Sequence, residues 1–377
     1  MATKTTDNGY FLNMEGKNVQ KLKIAIIAPP WFPVPPPGYG GIEMIVSLLT
    51  EGLWQRGHDV TLFASGNSIT QARLISTFAE APHKRMKENI HLENIHSLAA
   101  YEHAAEFDII HDHNGFNSRL LGALVRKLIN KPVIATLHGP ADKHSVDFLS
   151  SVASGLMFVA ISESQRVSYE GFDFLATIPN AIRTSDYPFS NTGGDYLLFV
   201  GRMNKEKGAH IAASTAKRLG RKLIMAGKCS EDHEKKYFNE QVRPSMGKGA
   251  EYYGEVDQLT KLELYKNAEC VLFPIQWPEP FGLVMIESMA CGTPVIALRN
   301  GSAPEVIRHG VTGYIVDSED EMIEAVGKID RINRAACRKI VAQEYDEEIF
   351  INRYEQAYMD ALAISEVSAH ELRVGES

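Results

Sequence analysis

The sequence is short of the features that mark several large classes of protein. Its 377 residues include only four cysteines, with no C-x-x-C spacing, so neither a zinc ribbon nor a disulfide framework is expected. No apolar run approaches the roughly 18 residues needed to span a bilayer. The first twenty residues contain no apolar core of a secretory signal. These absences predict a cytoplasmic protein without a transmembrane segment.

An excess of positive charge is also missing. The chain has 39 lysines and arginines against 47 aspartates and glutamates, a net charge of -8. Nucleic acids and anionic lipid surfaces are usually bound through a basic field, so neither is an expected partner. The segment 82–106 mixes three lysines or arginines with four glutamates, which argues against membrane association. The oligomeric state is left open.

The composition and the order of the predicted elements indicate two α/β domains. The hydrophobic fraction is 44%, typical of a globular chain, and the length exceeds what one core usually holds. Short β-rich runs alternate with helical patterns, which predicts parallel sheets built from βαβ units. Turn formers around 183–195 interrupt the alternation. We predict a polar tail over 1–20, a first domain over 21–190, a second over 191–345, and a helix with a tail over 346–377.

The first candidate ligand loop joins the strand Leu22–Ala28 to the helix predicted over 42–56. Gly40 and Gly41 would let backbone N–H groups approach an anion at the start of this helix. A dinucleotide fingerprint is excluded, because its third glycine position is Glu43 and the loop is far longer than that motif allows. A glycine-rich connector without a ligand is the alternative.

The second candidate loop, Gly201–Gly208, follows the strand Tyr196–Val200. Arg202 and Lys207 would bring positive charge and planar donors to a diphosphate. The alternative is a solvated basic turn.

The third candidate loop runs from Pro274 to Gly282 and opens a helix over 283–291. Glu279 in the loop and Glu287 in the helix are carboxylates suited to accept hydrogen bonds from sugar hydroxyls. The alternative is that Glu279 is a carboxylate that stabilises the helix dipole and Glu287 is an exposed helix residue. Glu287 lies in an otherwise apolar helix, however, so it is expected to be semi-buried and to need a partner.

Four segments in this order, GYGGIE, GRMNKEKG, EPFGLVMIE and ACGTPVIA, resemble the retaining GT-B glycosyltransferases of family GT4. The resemblance covers roughly residues 21–360. It implies an α/β GT-B fold, with two Rossmann-like domains facing across a cleft and a C-terminal helix crossing back to the first domain.

The resemblance also assigns roles to individual residues. Glu279 would bind the donor sugar hydroxyls and Glu287 the ribose, while Arg202 and Lys207 neutralise the diphosphate. His138 would lie near the transferred sugar. The other donor-binding positions implied are Gly40, Gly41, Asn180, Gly254, Val256, Phe281, Gly282 and Leu283. The acceptor-binding candidates, which follow or end strands, are His111, Asp112, His113 and Ser162.

The sequence favours chemistry without a metal or another cofactor. It contains no D-x-D motif, and fixed cations with helix N-termini can stabilise a leaving diphosphate instead. His111 and His113 share the spacing of a metal pair, but no third ligand is identifiable. By resemblance, retention would proceed by front-face attack, with the β-phosphate taking the acceptor proton.

The expected reaction is transfer of a hexose from a nucleotide sugar to a hydroxyl of a small, soluble acceptor. UDP-glucose is the favoured donor and GDP-mannose the next. Two alternatives stay open at this stage: a GT-B sugar-nucleotide epimerase, and a non-catalytic nucleotide-sugar binding module. A phosphorylase would need a lysine-bound pyridoxal phosphate, which no segment marks.

Overall fold

The computed structural model describes residues 10–12, 18–85 and 91–375, with side chains over 20–85 and 91–367. Most of the predicted polar tail, and Lys87 and Glu88 of the 82–106 segment, lie outside the described residues. Within that tail two three-residue strands, β1 (Tyr10–Leu12) and β2 (Asn18–Gln20), pair antiparallel.

Two parallel sheets form the framework. The strands of the first sheet are β3 (Lys23–Ile27), β4 (Asp59–Phe63), β5 (Arg73–Ile75), β6 (Ile109–Asp112), β7 (Val133–Thr136), β8 (Met157–Ala160) and β9 (Phe174–Thr177). The strands of the second are β10 (Tyr196–Val200), β11 (Lys222–Ala226), β12 (Ala250–Tyr252), β13 (Cys270–Phe273), β14 (Val295–Leu298) and β15 (Gly313–Val316).

Helices connect these strands. In the first half of the chain they are α1 (Gly41–Gln55), α2 (His91–Tyr101), α3 (Phe116–Ile129), α4 (Lys143–Val152) and α5 (Glu163–Ser168). In the second half they are α6 (Ala209–Leu219), α7 (Asp232–Tyr237), α8 (Arg243–Ser245), α9 (Gln258–Asn267), α10 (Leu283–Ala290), α11 (Ala303–Val306), α12 (Glu319–Val326), α13 (Arg334–Glu344) and α14 (Glu347–Gly375). One π-turn, Phe238–Val242, joins α7 to α8.

The chain divides into two compact units. Unit 1 consists of Met1–Ile161, Arg166–Ile178 and Glu347–Ser377, and unit 2 of Ser162–Gln165 and Pro179–Asp346. Unit 1 holds the seven-stranded sheet, in the order β5-β4-β3-β6-β7-β8-β9. Unit 2 holds the six-stranded sheet, in the order β12-β11-β10-β13-β14-β15. Every strand pair in both sheets is parallel, so the α/β fold class is confirmed.

The strand sequences explain why these sheets are buried. The inner strands β7, β8 and β13 are buried at every residue, and their apolar runs are nearly continuous rather than alternating. Helices that cover both faces of a parallel sheet require this pattern. In each sheet the strand order reverses once, between β3 and β6 in unit 1 and between β10 and β13 in unit 2. The loops beyond the carboxyl ends of such a pair form the usual ligand-binding edge of an open parallel sheet.

The C-terminal helix α14 belongs to unit 1. Arg56, at the end of α1, forms ion pairs of 2.6 Å with both Glu348 and Glu355 of α14. Glu355 also lies 3.0 Å from Nε2 of His58. None of the helices in the described part of the chain is long and apolar enough to cross a membrane.

Candidate active site

The carboxyl edge of the unit 2 sheet brings together the loops after β10 and β13. A Cβ at Gly208, where φ is +71°, would stand 2.0 Å from the carbonyl oxygen of Pro274. The amide of Gln276 donates to the carbonyl of Glu206 at 2.7 Å. The two backbones therefore touch where the strand order reverses, and only glycine allows that approach.

These loops place Lys207 against Glu279. The Lys207 ammonium contacts Oε2 of Glu279 and lies 5.2 Å from the centroid of the Trp277 ring. Trp277 also donates its indole N–H to the same carboxylate oxygen at 2.8 Å. Glu279 is buried, so a cation and a carboxylate are fixed side by side at this edge. The carboxylate of such a pair can accept hydrogen bonds from hydroxyls, and the ammonium can balance phosphate charge.

Arg202, in the same loop as Lys207, is held by Glu234. Its Nε and Nη2 donate to one oxygen of Glu234 at 3.0 and 2.9 Å. The other oxygen accepts from the amides of Ser230 and Glu231 at 2.9 and 3.0 Å. Burial acts to raise the pKa of Glu234, but these hydrogen bonds hold it below its usual range. Glu234 is therefore an anionic partner that fixes the guanidinium.

Glu287 has the partners that its position in an apolar helix requires. Lys261 and Tyr187 donate to one oxygen at 2.9 and 3.3 Å, and Tyr265 donates to the other at 2.9 Å. Burial raises the pKa of Tyr265 and of Tyr187, and the carboxylate adds to it, so both hydroxyls stay protonated. Glu287 is thus satisfied within unit 2.

The start of α10 completes this edge. Gly282 precedes the helix with φ +79° and has no side-chain cap, and Phe281 and Leu283 flank it. A Cβ at Gly301 would stand 2.3 Å from the backbone nitrogen of Glu279, so the following loop packs directly against this one. The first amides of α10 follow Glu279 in the loop after β13, and Lys207 reaches Glu279 from the loop after β10. The end of a helix that carries unpaired amides favours anions.

The remaining predicted donor positions of unit 2 lie on neighbouring loops. Gly254 follows β12 with φ +76°, and its carbonyl accepts from the amide of Gly227 at 2.8 Å. Val256 is half-buried two residues further on. Asn180 is buried, and its Oδ1 has no hydrogen-bond partner among the described residues. Such an orphaned acceptor is a place where a ligand donor would be accommodated.

In unit 1 the loop after β3 ends in a strained glycine. Gly40 has φ +151°, and a Cβ there would stand 2.8 Å from Pro36 and 2.9 Å from a carboxylate oxygen of Glu43. Gly41 begins α1. Burial raises the pKa of Glu43 to about 7, although a backbone hydrogen bond opposes it. A carboxyl that is about half protonated at neutral pH therefore occupies the first turn of α1.

His138 and His113 lie together at the ends of β7 and β6. Nδ1 of His113 is 2.9 Å from Nε2 of His138, and the two rings stack with centroids 5.2 Å apart. Burial lowers the pKa of His138 to about 3, and the neighbouring Arg119 charge adds to that effect. Nε2 of His113 is buried without a partner among the described residues. The His138 ring thus reaches a ligand only through Nδ1 or its carbon edge.

Two glycosyltransferase family models match most of the chain. Residues 185–341 match the family model of glycosyl transferases group 1, and residues 39–185 match that of glycosyltransferase family 4. The chain belongs to the GT4-type glycosyltransferases. The predicted family is confirmed.

Individual relatives of this GT4-type glycosyltransferase are distant but cover most of it. It is 23% identical to a glycogen synthase of Mycobacterium tuberculosis (strain CDC 1551 / Oshkosh), over 87% of the chain and 92% of that protein. A solved glycosyltransferase involved in avilamycin A biosynthesis is 26% identical, with a TM-score of 0.69, over 91% and 98% of the two chains. The Anabaena protein HepE in complex with UDP-glucose is 18% identical, with a TM-score of 0.69, over 92% and 100%. These structures share the GT-B fold.

Three of the predicted acceptor residues of this glycosyltransferase lie in its interior. His111 is 0% exposed, with ring nitrogens 2.8 Å from Tyr358 Oη and Thr136 Oγ1. Asp112 is equally buried and accepts from Tyr101, Ser118 and the amide of Asn114.

Ser162 is 2% exposed and accepts from the amide of Gln165 at 3.0 Å. In all three the polar atoms are satisfied by the surrounding chain. A strand-end position alone does not separate a buried side chain from one that reaches a ligand, so the role of these three residues in acceptor binding stays a prediction.

The structure adds residues that the sequence analysis of this glycosyltransferase did not single out. Glu234 and Trp277 hold Arg202 and Lys207, and Lys261 pairs with Glu287. Trp277 is two residues from Glu279 and could have been found. Glu234 and Lys261 are distant in sequence from their partners, Arg202 and Glu287, and neither lies in a recognised motif.

Among the described residues no cluster of three or more histidine, cysteine or acidic side chains could hold a metal ion.

Proposed function

We propose that this glycosyltransferase moves a hexose from a nucleotide sugar to an acceptor hydroxyl, with retention of anomeric configuration and without a metal. The observation that carries the proposal is the meeting of Lys207 and Glu279 at the point where the unit 2 strand order reverses. A nucleotide sugar is bound through its diphosphate charge and its sugar hydroxyls. The cation and the helix amides at this point can bind the diphosphate, and the carboxylate can bind the hydroxyls.

The donor would lie along this edge of unit 2. Arg202 and Lys207 would neutralise the diphosphate, aided by the amides of Phe281, Gly282 and Leu283. Glu279 would accept hydrogen bonds from the sugar hydroxyls. Glu287 would hold the ribose, in exchange for one of its three present donors. Asn180, Gly254 and Val256 would border the nucleotide.

In unit 1, His138 would contact the transferred sugar through Nδ1, because its Nε2 is engaged by His113. Gly40 and Gly41 would approach the phosphates through backbone amides. His113 would position His138 rather than touch the acceptor itself.

The transfer would need no side chain as a committed base. The acceptor oxygen forms its bond to the anomeric carbon as the bond to the β-phosphate oxygen breaks, and the acceptor proton passes to that phosphate. Arg202 and Lys207 would then stabilise the charge that grows on the leaving diphosphate.

The favoured donor is UDP-glucose, with GDP-mannose next, and the acceptor would be small and soluble. The fold relative HepE has been solved with UDP-glucose. Thermal-shift measurements with UDP-, GDP-, ADP- and dTDP-sugars, beside the free nucleotides, test this proposal. Binding to the folded state raises the midpoint by mass action, so UDP-glucose should give the largest shift. A midpoint that no nucleotide moves would refute the proposal.

Product analysis addresses the chemistry itself. With UDP-glucose and an accepted hydroxyl compound, we expect a new glycoside of retained configuration. An epimerised sugar or a free sugar formed in the absence of acceptor would instead identify an epimerase.

A further inference from the structure

Arg119 is a buried guanidinium that the reaction proposed above does not use. It lies in the first turn of α3, directly after β6, and is 8% exposed. Its Nε is buried and has no hydrogen-bond partner among the described residues. Its Cζ lies 5.7 Å from the centroid of the Phe116 ring. Buried guanidinium groups normally donate several hydrogen bonds, so we expect a hydrogen-bond acceptor to bind at this one.

The carboxylates near Arg119 are engaged elsewhere. Asp112 accepts from Tyr101 at 2.8 Å, from Ser118 at 2.6 Å and from the amide of Asn114 at 2.8 Å. Glu93 accepts from the Trp31 indole at 3.3 Å. Neither forms an ion pair with Arg119 within the described chain, although both lie close enough to feel its charge.

Arg119 is also near enough to the proposed sugar-contacting group, His138, for its charge to act on that ring. Its charge acts on both His113 and His138, at the ends of β6 and β7. Next to His138, no described atom lies within 4 Å of where a Cβ of Gly139 would stand. Glu93 already lies against Gly115 at the start of α3, so the inference depends on the guanidinium and not on the helix end.

We propose that Arg119 binds an anionic group, a phosphate or a carboxylate, carried by the acceptor. The inference rests on the proposed function, because it places the acceptor beside His138. A planar fork of N–H donors matches both anions in two-point hydrogen bonding, and a buried position strengthens the contact. The acceptor class is therefore an anionic hydroxyl compound rather than a neutral one.

Calorimetric titration of the full chain tests the proposal. Saturating UDP is present throughout, so that anions do not report on Arg202 and Lys207. The probes are glucose 6-phosphate, gluconate and neutral glucose, which separate phosphate from carboxylate recognition. We expect an anionic probe to bind the wild-type protein and glucose to bind more weakly.

The variants are Arg119→Gln, Arg119→Lys and, as a control, Lys127→Gln. Lys127 is exposed on the same helix, so its loss matches the change in net charge. Arg119→Gln should weaken the anionic probe about tenfold or more, as the loss of a charged hydrogen-bond partner does. Arg119→Lys should retain part of the affinity, and it serves as the second variant if Arg119→Gln does not fold. Lys127→Gln should bind as the wild type does.

Two failures are distinguishable. A wild-type protein that does not bind UDP contradicts the proposed function. A protein that binds UDP, but binds neither anionic probe, or binds it equally well without Arg119, overturns this inference alone.

Discussion

His96 makes the stability of unit 1 depend on pH in a direction that the structure fixes. It is 1% exposed, on α2, with Nε2 3.1 Å from the carbonyl of Ala28 and Nδ1 3.2 Å from Thr77 Oγ1. A carbonyl only accepts, so Nε2 donates and Nδ1 accepts from the hydroxyl. The neutral ring is thus fully satisfied, and burial lowers the pKa of His96 to about 4.

The unfolded chain binds a proton at this site more readily than the folded chain. With an unfolded pKa of about 6.5, the contribution of His96 is complete above that pH and is lost as the pH falls toward 4. Between pH 7 and pH 5 the loss amounts to about 2 kcal/mol of unfolding free energy.

Glu43 acts in the opposite direction over the same range. Burial raises the pKa of Glu43 to about 7, so the folded chain takes up its proton first as the pH falls. From pH 7 to pH 5 this gains about 2 kcal/mol, which offsets one histidine. The two contributions nearly cancel in the pH dependence of wild-type stability, so variants are needed to separate the effect of His96 from that of Glu43.

Urea unfolding at pH 7, 6 and 5 provides the assay. In His96→Gln, whose side-chain amide can still donate to Ala28, the loss of stability between pH 7 and 5 should be about 2 kcal/mol smaller than in the wild type. In Glu43→Gln it should be about 2 kcal/mol larger. If His96→Gln kept the wild-type pH dependence, the assignment of a buried, neutral His96 would be refuted.

Three further variants test the unit 2 edge, and a chelator tests metal independence. Gly208→Ala should destabilise the protein by at least about 2 kcal/mol more than Gly220→Ala, because both have positive φ but only Gly208 abuts Pro274; equal effects in urea unfolding would refute the contact. Arg202→Ala should lower kcat about tenfold or more while donor affinity changes less, and Glu234→Gln should show the same split more weakly; an unchanged kcat would remove Arg202 from the reaction. Activity should persist in EDTA, whereas a loss restored by magnesium would contradict metal-independent transfer.

The sequence predicted most central elements to within two residues. The strands Leu22–Ala28 and Tyr196–Val200 and the helix 42–56 are observed as β3, β10 and α1, because apolar periodicity is strong where a segment is buried. β12 and the partly buried β9 lie at sheet edges, where little burial leaves little pattern.

The site shows a similar division. The loops with Lys207 and Glu279 were recognised because their residue types and order are local properties of the chain. The partners of these residues were not, because Glu234 reaches Arg202 across 32 positions and Lys261 reaches Glu287 across 26. The burial of His111 was not predicted for the same reason, since helix α14, which contributes Tyr358 more than 200 residues away, covers it.

The sequence by itself determined the α/β class, the family and the loops that carry chemistry, because periodicity, glycine placement and motif order are written along the chain. Only the tertiary structure decided which polar side chains are buried and which ones pair. Those outcomes depend on desolvation and on contacts between distant segments, and no local pattern encodes them. Arg119 is the clearest case: on the sequence it is one arginine in a helix, and in the fold it is a buried cation whose Nε lacks a partner among the described residues.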